Sequence, residues 1–446
     1  MASDSTHPLL SAEALHVRLG GAPLPVLANL SLTLAAGEIV GVCGALGGGK
    51  TTLLAALSGL VPWARPAQVS GGLRLGDDEL LDLDPSQRAY LLGTCLDRPE
   101  AQLFLATPRQ ELEAAARLHR GAPLHDRLVT AFALTPLLDR RITELSSGER
   151  QRVALAATLA AAPRPLLLDE PTAHLDEAGV AALAFVLRDV RQLGGAALVV
   201  EHAGWRLGDA VERWLELRSG ALSPVPAPTP PPFLPPHPAR EDIVLQADDV
   251  SLTRAGRRLV TGASLSLRAG EIVLLGGPNG AGKSSLARAL AGCSDSAAGG
   301  LKMTGTVRAA GRVTIMLPDT ELQLFAGSVA DEVALAGVDE RAAARSLRRH
   351  GLEAFAGRVP WTLSRGERQR LVHAALDVLS PRVLIVDEPA QGLDPEALAE
   401  FAALLRRRAS HGRAYLIVSH RREFARAAHR VLWLEAGALS EVGGAR

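Results

Sequence analysis

The chain lacks an excess of charge of either sign: Lys and Arg together number 48, and so do Asp and Glu. No global field favours a polyanion, so nucleic acid is not an expected partner, while a local basic patch stays open. Cysteine is scarce. Cys43, Cys95 and Cys293 lie far apart with no Cys-x-x-Cys or Cys/His spacing, which argues against a zinc site or a disulfide framework. Cys43 and Cys293 stand in apolar runs and read as core residues. Also missing are a basic stretch leading into a long apolar segment at the N-terminus and any run of about 18 apolar residues, so the expectation is a soluble, cytoplasmic chain.

What the chain has is a repeat. The first half carries a glycine loop, Gly44, Ala45, Leu46, Gly47, Gly48, Gly49, Lys50, Thr51 and Thr52. Then come Leu145-Ser146-Ser147-Gly148-Glu149, the run Leu166 to Asp169 with Glu170 and Pro171, and His202. The second half carries Gly277, Pro278, Asn279, Gly280, Ala281, Gly282, Lys283, Ser284 and Ser285, then Leu363-Ser364-Arg365-Gly366-Glu367, then Asp387-Glu388-Pro389, then His420. From Gly148 through Asp169 to His202 the spacing equals that from Gly366 through Asp387 to His420, so a whole domain is duplicated. A length of 446 residues fits two domains of roughly 200 residues each. The domains are expected at 1–222 and 241–446. Residues 223–240 are so rich in proline that a helix or interior strand is excluded, and a semi-rigid polyproline II spacer at about 3.1 Å per residue is the expectation. A ligand for a proline-binding domain is the alternative. Both copies close alike, at Trp214-Leu215-Glu216 and Trp433-Leu434-Glu435.

In each copy apolar β-rich runs alternate with helical patterns, which predicts an α/β fold with a largely parallel sheet. Glu38 to Cys43 and Glu271 to Leu275 read as buried strands entering the glycine loops, and the segments from Thr51 and Ser284 as helices leaving them. In that context glycines let the backbone wrap phosphate oxygens while the helix N-terminus supplies N–H donors. Lys50 and Lys283 would reach the β and γ phosphates of ATP, and the Thr51 and Ser284 hydroxyls would ligate Mg²⁺. Asp169 and Glu170, like Asp387 and Glu388, are adjacent on a strand and point to opposite faces, so they cannot share one job. Asp169 and Asp387 are expected at the Mg²⁺ shell, with Glu170 and Glu388 facing the γ-phosphate to polarise water. A solvated strand end is the alternative.

With Leu-Ser-x-Gly-Glu added, the chain resembles the ATP-binding-cassette superfamily across both domains. The resemblance implies a parallel-sheet core with a β subdomain and a helical signature subdomain in each copy. It also implies that the signature of one domain closes on nucleotide held by the other. Two composite sites follow: Lys50, Thr51, Asp169, Glu170 and His202 with Ser364 and Gly366, and Lys283, Ser284, Asp387, Glu388 and His420 with Ser146 and Gly148. By that resemblance His202 and His420 contact the γ-phosphate, and Leu175-Asp176 and Leu393-Asp394 link the sites. Where the family places an adenine-stacking aromatic, this chain has Arg18 and Arg254, whose guanidiniums can stack on a base. The glutamine expected after the next strand falls at Asp97 and Pro318, with Gln102 and Gln323 as substitutes. Glu149 and Glu367 replace the commoner glutamine after the signature.

The segments Gln102-Leu103-Phe104 and Gln323-Leu324-Phe325, each leading into an acidic helix start, resemble the ATPases of energy-coupling-factor transporters, which import vitamins and cobalt or nickel ions. That resemblance implies docking of these six residues on a transmembrane scaffold protein accompanied by a small membrane substrate-binding protein, at the inner face of the membrane. Packing of Phe104 and Phe325 into the helical subdomain is the alternative. Two other functions are a soluble tandem protein acting on ribosomes and the ATPase of a conventional sugar importer.

Overall fold

The computed structural model describes residues 8–21, 24–45, 47–64, 66–97, 99–118, 125–162, 164–293, 300–390 and 393–442. They form two compact units that divide between Pro230 and Pro231. The first unit is built on a six-stranded sheet in the order Ala221–Val225, Arg213–Arg218, Ile39–Cys43, Ala197–Val200, Leu166–Asp169, Gly93–Cys95. Its neighbours are parallel except for the outer pair formed by the two C-terminal strands. The second unit repeats this plan with Ala438–Val442, Arg430–Glu435, Ile272–Gly276, Ala414–Val418, Val383–Asp387 and Val313–Met316.

Strand alternation divides each sheet's side chains between two cores. Leu166, Leu168 and Val199 face the helical segments, whereas Leu167, Leu198 and Val200 face the antiparallel sheet and the helix Lys50–Leu57. That antiparallel sheet is formed in the first unit by Leu10–Leu19, Leu27–Leu34, Ala67–Leu75 and Asp78–Glu79. In the second unit its counterpart consists of Ile243–Arg254, Arg257–Arg268 and Leu301–Ala309. A register shift recurs at Ala14 and Asp249, both at positive φ, and each is met by a glycine, Gly71 or Gly305, where a Cβ would strike the bulge carbonyl at 2.6 or 2.4 Å.

The signature helices Ser147–Leu159 and Arg365–Val378 begin in reciprocal capping boxes. Ser146 Oγ accepts from the Glu149 N–H at 3.3 Å and the Glu149 carboxylate accepts from the Ser146 N–H at 2.7 Å, with the same two distances at Ser364 and Glu367. A carboxylate near a helix N-terminus is favoured, which gives Glu149 and Glu367 a local reason to stand there.

The proline-rich stretch departs from the expected spacer. Ser223, Pro224 and Val225 pair with Glu216, Leu215 and Trp214, so the first unit's sheet runs past residue 222, with Pro224 tolerated because the strand is an edge. Farther on, Phe233 is buried against Phe424 at a ring distance of 5.4 Å. Arg406 Nε donates to the Pro235 carbonyl at 2.8 Å, and a His429 ring nitrogen bonds the His237 carbonyl at 2.7 Å. Burial of one aromatic ring within the tract, with two side chains binding its carbonyls, fixes 233–240 to the second unit.

The copies also differ inside the helical layer. In the second, His350 Nε2 lies 2.9 Å from His373 Nδ1, and His350 Nδ1 lies 2.8 Å from the Ser346 carbonyl. Because that carbonyl requires a donor, Nδ1 of His350 carries the hydrogen and Nε2 accepts from His373. Tyr415 stacks on His373, and the buried Asp377 receives Arg408 and Arg413. The spacing that relates the copies puts Phe132, Leu155, Leu159, Val190 and Ala197 at the corresponding places, all in the apolar core. Burial pushes His350 down to about 4 against the opposing Ser346 carbonyl, aided by the charges of Arg408, Arg413 and Arg349, and burial drives His373 well below its usual range.

A histidine held neutral in the fold binds fewer protons than it does unfolded. The pair's contribution to the second domain's stability should therefore be fully present above about pH 6.5 and be lost as pH falls toward about 4. Installing the first copy's residues, His350→Phe with His373→Leu, should reduce the loss between about pH 7 and pH 4 by about 3 kcal/mol, read from urea unfolding of that domain at the two pH values.

Candidate nucleotide site

Each glycine loop leaves a buried strand through glycines that other residues could not replace. Gly44 and Gly277 have φ of 146° and 144°, and a Cβ there would fall 2.5 Å from the Leu217 carbonyl oxygen or 2.2 Å from that of Leu434. Gly49 and Gly282, at φ 97° and 98°, precede the helices Lys50–Leu57 and Lys283–Leu290. The buried Lys50 donates from Nζ to the carbonyls of Gly44 and Ala45 at 2.8 and 2.9 Å, and Lys283 does the same to Gly277 and Pro278. Gly47 and Gly280, also at positive φ, meet no neighbour, which leaves the backbone open to an approaching group. Leu46 lies outside the described residues; Asn279 and Gly280 are exposed, and Gly48, Thr52, Ala281 and Ser285 are half-buried.

The strand-end carboxylates separate. Ser284 Oγ donates to Asp387 Oδ1 at 3.1 Å, while Asp387 Oδ2 and both Asp169 oxygens are buried with no hydrogen-bond partner among the described residues. Burial first, then the charges of Glu170 and Asp97, push Asp169 up to about 7, against Thr51 and Lys50. Burial, with Glu388 adding and Ser284 opposing, pushes Asp387 up to about 6. Buried carboxylate oxygens left over beside a hydroxyl are a donor set of the hard oxygen type that suits Mg²⁺.

On the other face Glu170 Oε1 lies 3.2 Å from His202 Nε2, and Glu388 Oε1 lies 3.0 Å from His420 Nδ1. Ser419 Oγ also donates to Glu388 Oε2 at 3.0 Å. Burial alone would raise Glu388, but the His420 charge, the bonds from His420 and Ser419, and Lys283 hold it below the usual range. Both glutamates sit at positive φ, 45° and 48°. Each unit thus gathers its own loop lysine, hydroxyl, Asp, Glu and His at one sheet edge. Ser146 and Ser364 are exposed at the heads of their own helices, with Gly148 buried and Gly366 half-buried. Asp176 and Asp394 cap the helices Glu177–Gln192 and Pro395–Ser410. Arg18 and Arg254 are exposed at the ends of their strands, and Arg18 donates to Gln68.

Several contributors escaped the sequence reading. Gln151 and Gln369, buried, donate to the carbonyls of Pro171 and Pro389 at 3.3 and 2.6 Å and so tie each signature helix to the loop after the catalytic-type glutamate. Their recurrence within Arg-Gln-Arg at 150–152 and 368–370 was the available signal. Glu201, buried beside His202, accepts from the Thr172 N–H at 2.8 Å. Gln102 and Gln323 turn inward: each amide oxygen takes the N–H of Leu96 or Leu317 at 2.7 Å, and each amide nitrogen donates to Thr94 or Ile315. Leu324 is buried and Leu103 half-buried, whereas Phe104 and Phe325 are 83% and 77% exposed.

This constellation, present twice, defines an ATP-hydrolysing cassette. The ABC transporter family matches residues 27–173 and again 260–391, and the chain belongs to that family as a tandem ATPase. Its domains bind ATP with Mg²⁺ and hydrolyse it. The chain is 28% identical over 451 residues to a putative ABC transporter ATP-binding protein of Treponema denticola, covering 92% of each. It is 27% identical to the putative HMP/thiamine import ATP-binding protein YkoD of Bacillus subtilis, covering 92% of this chain and 87% of that one. Among solved structures it matches one titled RNase-L Inhibitor with a TM-score of 0.70 at 20% identity, over 96% of this chain and 90% of that one, which bears on the fold.

Gly277→Ala should force the loop entry apart at the Leu434 carbonyl and strain a left-handed position. We expect a loss of about 2–4 kcal/mol in the second domain, visible by calorimetry, with Mg·ATP binding at that domain abolished in equilibrium dialysis.

Proposed function

We propose that this chain is the energy-coupling ATPase of a membrane importer of the energy-coupling-factor kind, taking up a vitamin or a transition-metal ion. The observation that carries the reading is the paired display of Phe104 and Phe325. Each ring stands in solvent on a short segment held from behind by an inward glutamine and by the carboxylate of Glu111 or Glu332, which binds the backbone beside the phenylalanine. Exposed rings on a backbone fixed this firmly suit a partner groove better than a core. Similarity to YkoD, whose name describes HMP/thiamine import, points the same way. The partners would be a transmembrane scaffold, met by the two phenylalanines, and a small membrane protein that binds substrate. No helix among the described residues is long and apolar enough to cross a membrane.

In this proposal ATP binding closes the signature Ser364 and Gly366 over the nucleotide on Lys50 and Thr51, and Ser146 and Gly148 over that on Lys283 and Ser284. Glu170 and Glu388 accept the proton of the attacking water, and His202 and His420 fix the orientation of the glutamates and meet the γ-phosphate. Thr51 with Asp169, and Ser284 with Asp387, would hold Mg²⁺, which would supply positive charge to the phosphates. Arg18 and Arg254 would flank adenine. Joining the two copies in one chain makes their closure intramolecular.

A soluble role on ribosomes is the second reading, since the fold is shared with a chain in a structure titled as ribosome-bound archaeal Pelota and ABCE1, at a TM-score of 0.71 and 20% identity. Glu170→Gln with Glu388→Gln should lower steady-state ATP hydrolysis by about 10²–10³-fold while ATP stays bound, and retained turnover would remove these residues from the water-activating role. Co-expression with a scaffold encoded nearby should yield a detergent-stable complex weakened by Phe104→Ala with Phe325→Ala. An unchanged pull-down, together with nucleotide-dependent sedimentation of the chain with ribosomes, would favour the second reading.

A further inference from the structure

The second domain carries a cationic pocket at the end of its parallel sheet remote from the glycine loop. Val383–Asp387 and Ala414–Val418 run parallel to Ile272–Gly276, whose far end enters that loop, and the pocket opens where the first two begin. Its volume is about 280 Å³, and Ser380, Arg382, Arg408, His411 and Arg413 line it. The Arg240 guanidinium stands beside Gly412, one of its lining residues, 3.4 Å from where a Cβ there would stand. Arg408 and Arg413 share the single buried carboxylate of Asp377. Arg240 and Arg382 are exposed and form no ion pair among the described residues. Three guanidiniums and an imidazole therefore line the pocket, two of the guanidiniums sharing one carboxylate, and a fourth stands beside Gly412.

The fold does not require this. At the corresponding places the first domain has Leu159, Val190, Leu193 and Gly195, with Arg164 the one cation, and it builds the same strands and helices. Like charges gathered at a partly desolvated site repel, so a surplus of guanidiniums that packing does not need is a cost unless an anion offsets it. Planar forks arranged around a small cavity match the oxygens of a phosphate group, which several of them can bind at once. The volume admits a phosphate or a phosphomonoester head and falls short of the roughly 300–1,000 Å³ of pockets that hold drug-sized ligands.

We propose that the second domain binds a phosphate-class oxyanion in this pocket, through Arg382, Arg240 and the outer N–H groups of Arg408 and Arg413, separately from both nucleotide sites. Free inorganic phosphate and the phosphomonoester headgroup of a lipid share that chemistry.

The test uses the full chain with both nucleotide sites filled by a non-hydrolysable ATP analogue, titrated with inorganic phosphate at constant ionic strength and followed by phosphorus NMR line width. Saturable binding should weaken at least about 10-fold in Arg240→Ala with Arg382→Ala, two exposed positions outside the hydrolytic machinery, and be unchanged in Arg164→Ala. A second arm floats the chain with phosphatidic acid vesicles in phosphate-free buffer. Capture lost in the same double variant assigns the headgroup as the source, and phosphate binding without capture assigns the free ion. No response in either arm, or a response that the double variant retains in full, overturns the proposal.

Discussion

Parallel pairing is the constraint from which the nucleotide sites follow. The main chain of Ile39–Cys43, Ala197–Val200 and Leu166–Asp169 runs in one direction, so three C-terminal ends reach the same edge. The ladder continues one residue beyond each strand: the Glu201 N–H donates to the Val42 carbonyl at 3.0 Å and the Glu170 N–H to Val200 at 2.9 Å. The second copy repeats this with Ser419 to Leu275 and Glu388 to Val418. A slip of one residue would exchange the two faces and send the aspartate toward the histidine and the glutamate toward the helix. Chemistry at this edge therefore depends on backbone register before it depends on any side chain.

Much of this was legible because motif residues are punctuation. The duplicated glycine loops, the carboxylate-terminated apolar runs and the signatures each combine a rare residue type with a fixed spacing, and strands and helices were readable around them. What stayed hidden depends on where a side chain turns. Gln102 and Gln323 read as candidates for a partner surface or as substitutes for the glutamine expected at Asp97 and Pro318, and the fold spends both amides on their own backbone. Composition made 223–240 a spacer, and one phenylalanine in it sufficed to dock the later part on the second domain. The basic pocket was invisible for another reason: Arg382, Arg408 and Arg413 converge, with Arg240 beside Gly412, only after the strands have aligned.

The copies have diverged where the fold tolerates it. Asp97 adds negative charge near Asp169, while Pro318 brings none to Asp387. Glu201 ties the first copy's loop at Thr172, whereas the corresponding Ser419 bonds the glutamate itself. At one set of matched positions in the helical layer the first copy is hydrocarbon, and the second carries imidazole, phenol, carboxylate and guanidinium groups. The glycine loops and the carboxylate-bearing strand ends keep nearly the same geometry, down to the paired lysine bonds.

Glu170 and Glu388 hold a left-handed backbone, φ 45° and 48°, that glycine or asparagine would occupy at less cost. In the proposed mechanism, stability and turnover pull in opposite directions at these two positions. A copy released from the need to hydrolyse ATP could gain stability by exchanging its glutamate, so decay of one site into a purely binding site would run downhill in folding free energy.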